Sequence, residues 1–157
     1  MLNSSELVKK LKPIEIQRLR DLGDIFQYAV PWAALLWVAL DGDQQAAWRW
    51  LYIGLVNAIA TQVLKQLFNY TKFGMRPDGG MESMPSGHTS SAFMGAFFFY
   101  FQYSLSAAIL PLIFATLTGY SRIFAKRHWP RDVIAGALLA LLVNYLYFYH
   151  LPSDPFF

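Results

Sequence analysis

The sequence contains no cysteine, and only 15% of its 157 residues are Asp, Glu, Lys or Arg. The absence of cysteine excludes a disulfide-stabilised scaffold. Soluble domains carry about 25% charged residues, so this chain has too few to cover a soluble surface. The formal charge of +3 is too small to indicate a nucleic-acid partner. By contrast, 55% of the residues are hydrophobic and 17% aromatic. This composition excludes a disordered chain and is typical of a small protein embedded in the lipid bilayer.

Five apolar stretches follow a polar N-terminal segment. Segment 1–24 has Leu and Ile near helical spacing, which predicts an amphipathic helix on the membrane surface; a solvated leader that docks on the bundle is the alternative. The apolar stretches cover 25–40, 46–68, 89–103, 105–125 and 133–150. A helix needs about 20 residues to cross the hydrocarbon core, and its backbone satisfies its own hydrogen bonds there. We therefore predict one all-α domain over 1–157, with an N-terminal amphipathic helix and a multi-spanning transmembrane helical bundle of about five spans over 25–157.

Two polar loops are predicted to share one side of the membrane. If all five stretches cross, alternation places loop 69–88 and loop 122–132 on the same face. These loops carry His88 and His128, and imidazole serves as a nucleophile, base or acid near neutral pH. They also carry several arginines, whose planar guanidinium binds two phosphate oxygens at once. Together they predict a phosphate pocket with a nucleophile, an acid and no metal.

Local signals place four residues of the two loops relative to helix starts. Proline is favoured at the first helical position, so Pro130 predicts that His128 lies in the loop and Asp132 in the first helical turn. A carboxylate there can hold one ring nitrogen and leave the other free to attack. Ser86-Gly87 is predicted to begin a helix, whose free N–H groups bind anions.

Each of these features also has a simpler interpretation. Asp132 favours a helix N-terminus electrostatically whatever its other role. Ser86 is a common N-cap residue. Lys and Arg are frequent beside membrane spans on the cytoplasmic side. The functional interpretation depends on the combination of these residues, in one order and on one side of the membrane.

The combination resembles the type-2 phosphatidic acid phosphatase superfamily, which also contains bacterial acid phosphatases and vanadium haloperoxidases. The family pattern is a lysine and RP, then PSGH, then SR-x5-H-x3-D. The second motif is complete at 85–88, and the third is complete from Ser121-Arg122 through His128 to Asp132. The first motif keeps Arg76-Pro77, but Asn69 stands where the family usually has its lysine. Lys65 is the favoured replacement and Lys72 the alternative.

The resemblance implies a role for each matching residue. His128 is expected to attack phosphorus and form a phosphohistidine, with Asp132 orienting its ring. His88 is expected to protonate the leaving oxygen and then to activate water. The phosphate oxygens are expected to be bound by basic side chains and the PSGH turn: Lys65 or Lys72, Arg76, Arg122, Ser86 and Gly87. No metal or cofactor is expected.

The predicted function is a membrane lipid phosphatase that hydrolyses a lipid phosphate or pyrophosphate. The candidate substrates are phosphatidate, phosphatidylglycerol phosphate, polyprenyl phosphate or pyrophosphate, and a lipid A phosphate. The alternatives are a phosphotransferase using the same histidine and, less favoured, a haloperoxidase-like or non-catalytic lipid-binding relative. The expected location is the plasma membrane, the inner membrane of a bacterium. Many bacterial family members have their site on the periplasmic face, which favours that side here, although the basic loops favour the cytoplasm.

Overall fold

A computed structural model describes residues 4–151, with side chains from residue 13 onwards, and this part of the chain is all-α. Its five helices are α1 (Ser4–Asp41), α2 (Gln44–Asn69), α3 (Gly87–Gln102), α4 (Leu105–Phe124) and α5 (Pro130–His150). The predicted all-α fold is confirmed. The bounds of α2 to α5 lie within three residues of the apolar stretches that predicted them.

The N-terminal segment differs from the expectation of a separate helix, because α1 runs without a break through Pro13 and Pro31. A proline inside a helix lacks the N–H that would bond the carbonyl four residues earlier. At Pro31 that carbonyl belongs to Gln27, and the hydroxyl of Ser91 in α3 donates to it over 2.8 Å. A neighbouring helix thus satisfies the group that the proline leaves free. The first half of the predicted interfacial face of 1–24, up to residue 12, lies outside the described side chains.

Helix α3 lies at the centre of the bundle and contacts all four other helices. Within the described residues these four form a ring in the order α1, α4, α5, α2, because α1 does not contact α5 and α2 does not contact α4. The core around α3 combines small and aromatic side chains, among them Ala92, Ala96 and Phe98, which are fully buried. Small residues allow helices in a membrane to approach closely.

Within residues 4–151, four helical segments are long and apolar enough to cross a membrane: Pro13–Asp41, Gln44–Asn69, Leu105–Phe124 and Pro130–His150. The fifth, α3, has 16 residues and is about 24 Å long. That is just below the lower limit for a span of about 17 residues. The four longer helices enclose α3, so it does not need to match the full thickness of the bilayer by itself.

The chain order brings the predicted site residues to one end of the bundle. Helices α3 and α4 are joined by two residues, 103–104, and form the expected hairpin. The longer connections, 70–86 and 125–129, therefore both lie at the opposite end, where α2 and α4 end and α3 and α5 begin.

Candidate active site

A cavity of about 400 Å³ lies at this end, between α1, α2, α3 and the two loops. Five of the nine predicted site residues line it: Lys65, Arg76, Gly87, His88 and His128. The other four, Lys72, Ser86, Arg122 and Asp132, are not part of its wall. In the described residues, no group of three or more His, Asp or Glu is placed to hold a metal ion.

His128 lies in the loop just before α5, as predicted, and only 4% of its side chain is exposed. Its Nδ1 atom is 3.7 Å from Oδ2 of Asp132, an ion-pair distance rather than a hydrogen bond. Because Nδ1 faces the carboxylate, Nε2 is the nitrogen left to face the cavity.

Two further groups hold the Asp132 carboxylate. Its Oδ2 atom accepts hydrogen bonds from the backbone N–H of Trp129, over 2.9 Å, and from the hydroxyl of Ser83, over 2.5 Å. Asp132 therefore caps α5, as the simpler interpretation of this residue expected, and also faces His128. Ser83 was not singled out from the sequence, because its hydrogen bond joins a loop to the first turn of α5, 49 residues later in the chain.

Lys65 and Arg76 supply the positive charge of the cavity. The ammonium of Lys65 donates to the carbonyl of Glu82 over 2.6 Å, and Nη2 of Arg76 donates to the same oxygen over 3.4 Å. Asn69, one helical turn after Lys65, accepts the N–H of Glu82 with its side chain over 3.0 Å. Asn69 thus fixes the loop that carries Glu82, while Lys65 reaches the cavity. Lys72 is exposed, with its ammonium 5.4 Å from the ring centre of Phe73.

The PSGH turn begins α3 as predicted, with Ser86 as its N-cap. The buried hydroxyl of Ser86 accepts hydrogen bonds from the N–H and the hydroxyl of Thr89. Gly87 is the first helical residue and lines the cavity, so the helix N-terminus is directed at it. Gly136 of α5 packs on this turn, and a Cβ atom there would lie 2.6 Å from the carbonyl oxygen of Ser86.

The second histidine, His88, contacts a carboxylate that sequence reasoning missed. Its Nε2 atom is 3.0 Å from Oδ1 of Asp24, in α1. The same oxygen accepts a hydrogen bond from Nη1 of Arg122, over 2.6 Å. The signal in the sequence was an acidic residue directly before an apolar run, since charged residues within membrane helices are costly and commonly functional.

The surroundings of both histidines favour the neutral imidazole. Burial, followed by the nearby charges of Lys65 and Arg76, lowers the pKa of His128 to about 3. Burial, followed by the charge of Arg122, lowers the pKa of His88 to about 4, and Asp24 partly opposes this shift. The imidazole of His128 is therefore neutral at pH 7.

Comparison with known proteins identifies the family. Residues 46–154, well over half of the chain, match the sequence profile of the PAP2 superfamily. The chain belongs to the PAP2 superfamily. The resemblance seen in the three sequence motifs is thereby confirmed.

Individual relatives differ in how much of their length this PAP2 chain covers. It is 31% identical over 146 residues to undecaprenyl-diphosphatase BcrC of Bacillus subtilis, covering 79% of this chain and 70% of that protein. It is 35% identical over 97 residues to lipid A 1-phosphatase of Porphyromonas gingivalis, but these cover 57% of this chain and only 22% of that protein. The crystal structure of Aquifex aeolicus LpxE has the same fold, with a TM-score of 0.71, 22% identity and 86% of each chain covered.

Proposed function

We propose that this protein is an integral-membrane lipid phosphatase that hydrolyses a lipid phosphate or pyrophosphate through a phosphohistidine at His128. The observation that carries the proposal is that two cationic side chains and two histidines line one cavity. Lys65 and Arg76 converge on a single carbonyl oxygen. Like charges this close repel each other, so an anion bound between them is strongly favoured. Phosphatase names among the relatives, including BcrC, support the same class of reaction.

A phosphate group suits the donors that the cavity offers. Nε of Arg76 is buried and, among the residues that the structure describes, has no hydrogen-bond partner. A buried unsatisfied donor is costly, and a phosphate oxygen would satisfy it. The free N–H groups at the start of α3 supply further donors for the same anion.

The proposed reaction has two steps. Nε2 of His128 attacks phosphorus, the bond from phosphorus to the leaving oxygen breaks, and that oxygen takes a proton from His88. His88 then removes a proton from water, whose oxygen attacks the phosphohistidine and releases phosphate and neutral His128. Asp132 stabilises the positive charge that develops on the His128 ring. Lys65, Arg76 and the start of α3 stabilise the charge on the phosphate oxygens.

A neighbouring groove supports a substrate with a hydrocarbon chain. The groove has a volume of about 270 Å³ and is lined mainly by apolar residues of α1 and α2. It shares four lining residues with the cavity: Tyr28, Gly54, Ser91 and Met94. A phosphate in the cavity could therefore stay attached to a chain lying in the groove. Polyprenyl pyrophosphates and lipid A phosphates are the first substrates to test, because the names of the relatives give these lipids as their substrates.

The test is phosphate release by the purified protein in detergent and EDTA, across a panel of lipid mono- and pyrophosphates. We expect release from at least one lipid, and its loss in His128→Ala. His150→Ala is the matched control, because His150 lies at the far end of α5, against the ring of Tyr145. Release from no lipid by the folded protein would refute the phosphatase. Undiminished release by His128→Ala would refute the phosphohistidine.

A further inference from the structure

The contact between Asp24 and His88 adds a residue that the three family motifs do not contain. Asp24 lies in α1, whereas the motifs begin after α2 has started. One of its oxygens, Oδ1, lies 3.0 Å from Nε2 of His88 and 2.6 Å from Nη1 of Arg122. The carboxylate is thus held between two residues of the second and third motifs.

The local packing fixes this carboxylate in place. Arg122 is 2% exposed, and its other two donor groups bond the carbonyl of Arg20 and the hydroxyl of Ser121. Two of these three donor groups therefore join α4 to α1, through Asp24 and Arg20, and the third bonds within α4. Gly23 makes the close approach possible, since a Cβ atom there would lie 1.9 Å from the Ser121 hydroxyl oxygen.

The hydrogen bond also decides how the protons of His88 are distributed. An ionised carboxylate only accepts, so Nε2 of His88 carries the proton that faces Asp24. His88 lines the cavity with a side chain that is 33% exposed, and within the described residues Nδ1 has no hydrogen-bond partner. Nδ1 is therefore the nitrogen that is free to exchange protons with a bound substrate.

We propose that Asp24 is the positioning residue of His88, fixing its ring so that Nδ1 serves as the proton donor and acceptor of the reaction. This inference rests on the proposed phosphatase function. It gives the site two histidine–carboxylate pairs, His128 with Asp132 and His88 with Asp24. Arg122 donates to the same oxygen of Asp24. The charge of Asp24 also opposes burial, Arg122 and Lys65, which all lower the pKa of His88.

The proposed role makes the need for Asp24 depend on the leaving group. When the bond from phosphorus to an alkyl oxygen breaks, the proton on Nδ1 of His88 moves to that oxygen and His88 becomes neutral. An alkoxide is about as basic as hydroxide, so this step depends on the acid. A nitrophenolate is a weak base that leaves without a proton. Its release therefore depends on His128 but hardly on His88 or Asp24.

The experiment measures the first bond cleavage alone, with enzyme in excess over substrate. Two substrates with the same long alkyl chain are compared, one an alkyl phosphate and the other a nitrophenyl phosphate. General acids contribute about 10²- to 10⁴-fold to such steps. We expect Asp24→Asn to slow cleavage of the alkyl phosphate at least about tenfold, and to change release of nitrophenolate by less than about threefold.

Three controls separate this role from a structural one. Asp21→Asn, one turn earlier in α1 and bonded to Gln17 on the exposed side, is expected to leave both rates unchanged. In the double variant, adding Asp24→Asn to His88→Ala is expected to cause no further loss in the rate of alkyl phosphate cleavage. Asp24→Glu keeps the charge opposite Arg122, and we expect it to preserve folding and to show a weaker form of the same leaving-group dependence.

The outcomes distinguish this inference from the proposed function. Equal loss of both rates in folded Asp24→Asn or Asp24→Glu would overturn the positioning role. Faster alkyl cleavage in Asp24→Asn would also overturn it, since Asp24 would then be occupying the phosphate subsite. Failure of the proposed function would instead appear as no cleavage of either substrate by the folded protein, or as undiminished nitrophenolate release by His128→Ala.

Discussion

Asp132→Asn tests the proposed electrostatic role of Asp132 with little change of shape. The amide oxygen of Asn can still accept the hydrogen bonds from Trp129 and Ser83 that the carboxylate accepts now. Only the negative charge 3.7 Å from Nδ1 of His128 is lost. At an effective dielectric constant of about 20, two unit charges at that distance interact by about 4.5 kcal/mol. If a full positive charge develops on His128, phosphorylation should slow by about 10³-fold.

The assay is single-turnover cleavage of a lipid phosphate at pH 7, with thermal unfolding to verify the fold. Asp78→Asn is the control, because Asp78 lies in the 70–86 loop at the same end of the bundle but pairs with Arg127 at the surface, over 3.0 Å. We expect that variant to retain its rate. A loss of less than about tenfold in folded Asp132→Asn would show that Asp132 contributes mainly as the cap of α5.

Two further predictions concern charge in the cavity. Lys65→Met is expected to lower kcat/KM by about 10²-fold, as the loss of one fixed transition-state contact does. Lys72→Met, at an exposed position, is expected to lower kcat/KM by less than about twofold. The opposite ranking would assign the first-motif role to Lys72. The low pKa of His128, about 3, means that its ring stays neutral as the pH falls from 7.5 to 5. The stability gained by burying that neutral ring is present above pH 6.5 and is lost as the pH falls towards 3. Nitrogen-15 NMR of labelled histidines, with the His128 signals assigned from their absence in His128→Ala, measures the pKa of His128. A titration midpoint near pH 6.5 would contradict the lowered pKa.

Local sequence signals predicted most helix boundaries. Pro130 begins α5, and Ser86 caps α3, because each residue acts on the backbone within its own helical turn. The same local reasoning did not predict that the N-terminal segment and the first apolar stretch form one helix, α1, which continues through Pro13 and Pro31. Whether a helix continues through a proline depends on its neighbours, as the hydrogen bond from Ser91 to the carbonyl of Gln27 illustrates. Sequence spacing does not contain that information.

In the candidate site, too, the sequence predicted the residues that lie close together in the chain and missed those that only the packing of the helices brings together. The motifs predicted His88, His128 and Asp132, because the last two lie four residues apart at a helix start. Asp24 was missed because its bond to Arg122 joins positions 98 residues apart. That contact depends on α1 packing against α4, which hydropathy and spacing do not determine. The role of Asn69 likewise appears only in the structure, where its side chain accepts the N–H of Glu82 from the loop that folds back onto α2.

The two histidines share one cationic cavity but need different protonation states in the proposed reaction. His128 must be neutral to attack, whereas His88 must be protonated to act as an acid. The structure gives them different carboxylate contacts, 3.7 Å at His128 and 3.0 Å at His88, and the closer contact stabilises an imidazolium more. Burial and the charge of Arg122 nevertheless lower the pKa of His88 to about 4. A bound phosphate dianion would offset the nearby cations and raise that pKa. Protonation of His88 is therefore expected to follow phosphate binding, so that the acid forms only when its substrate is in place.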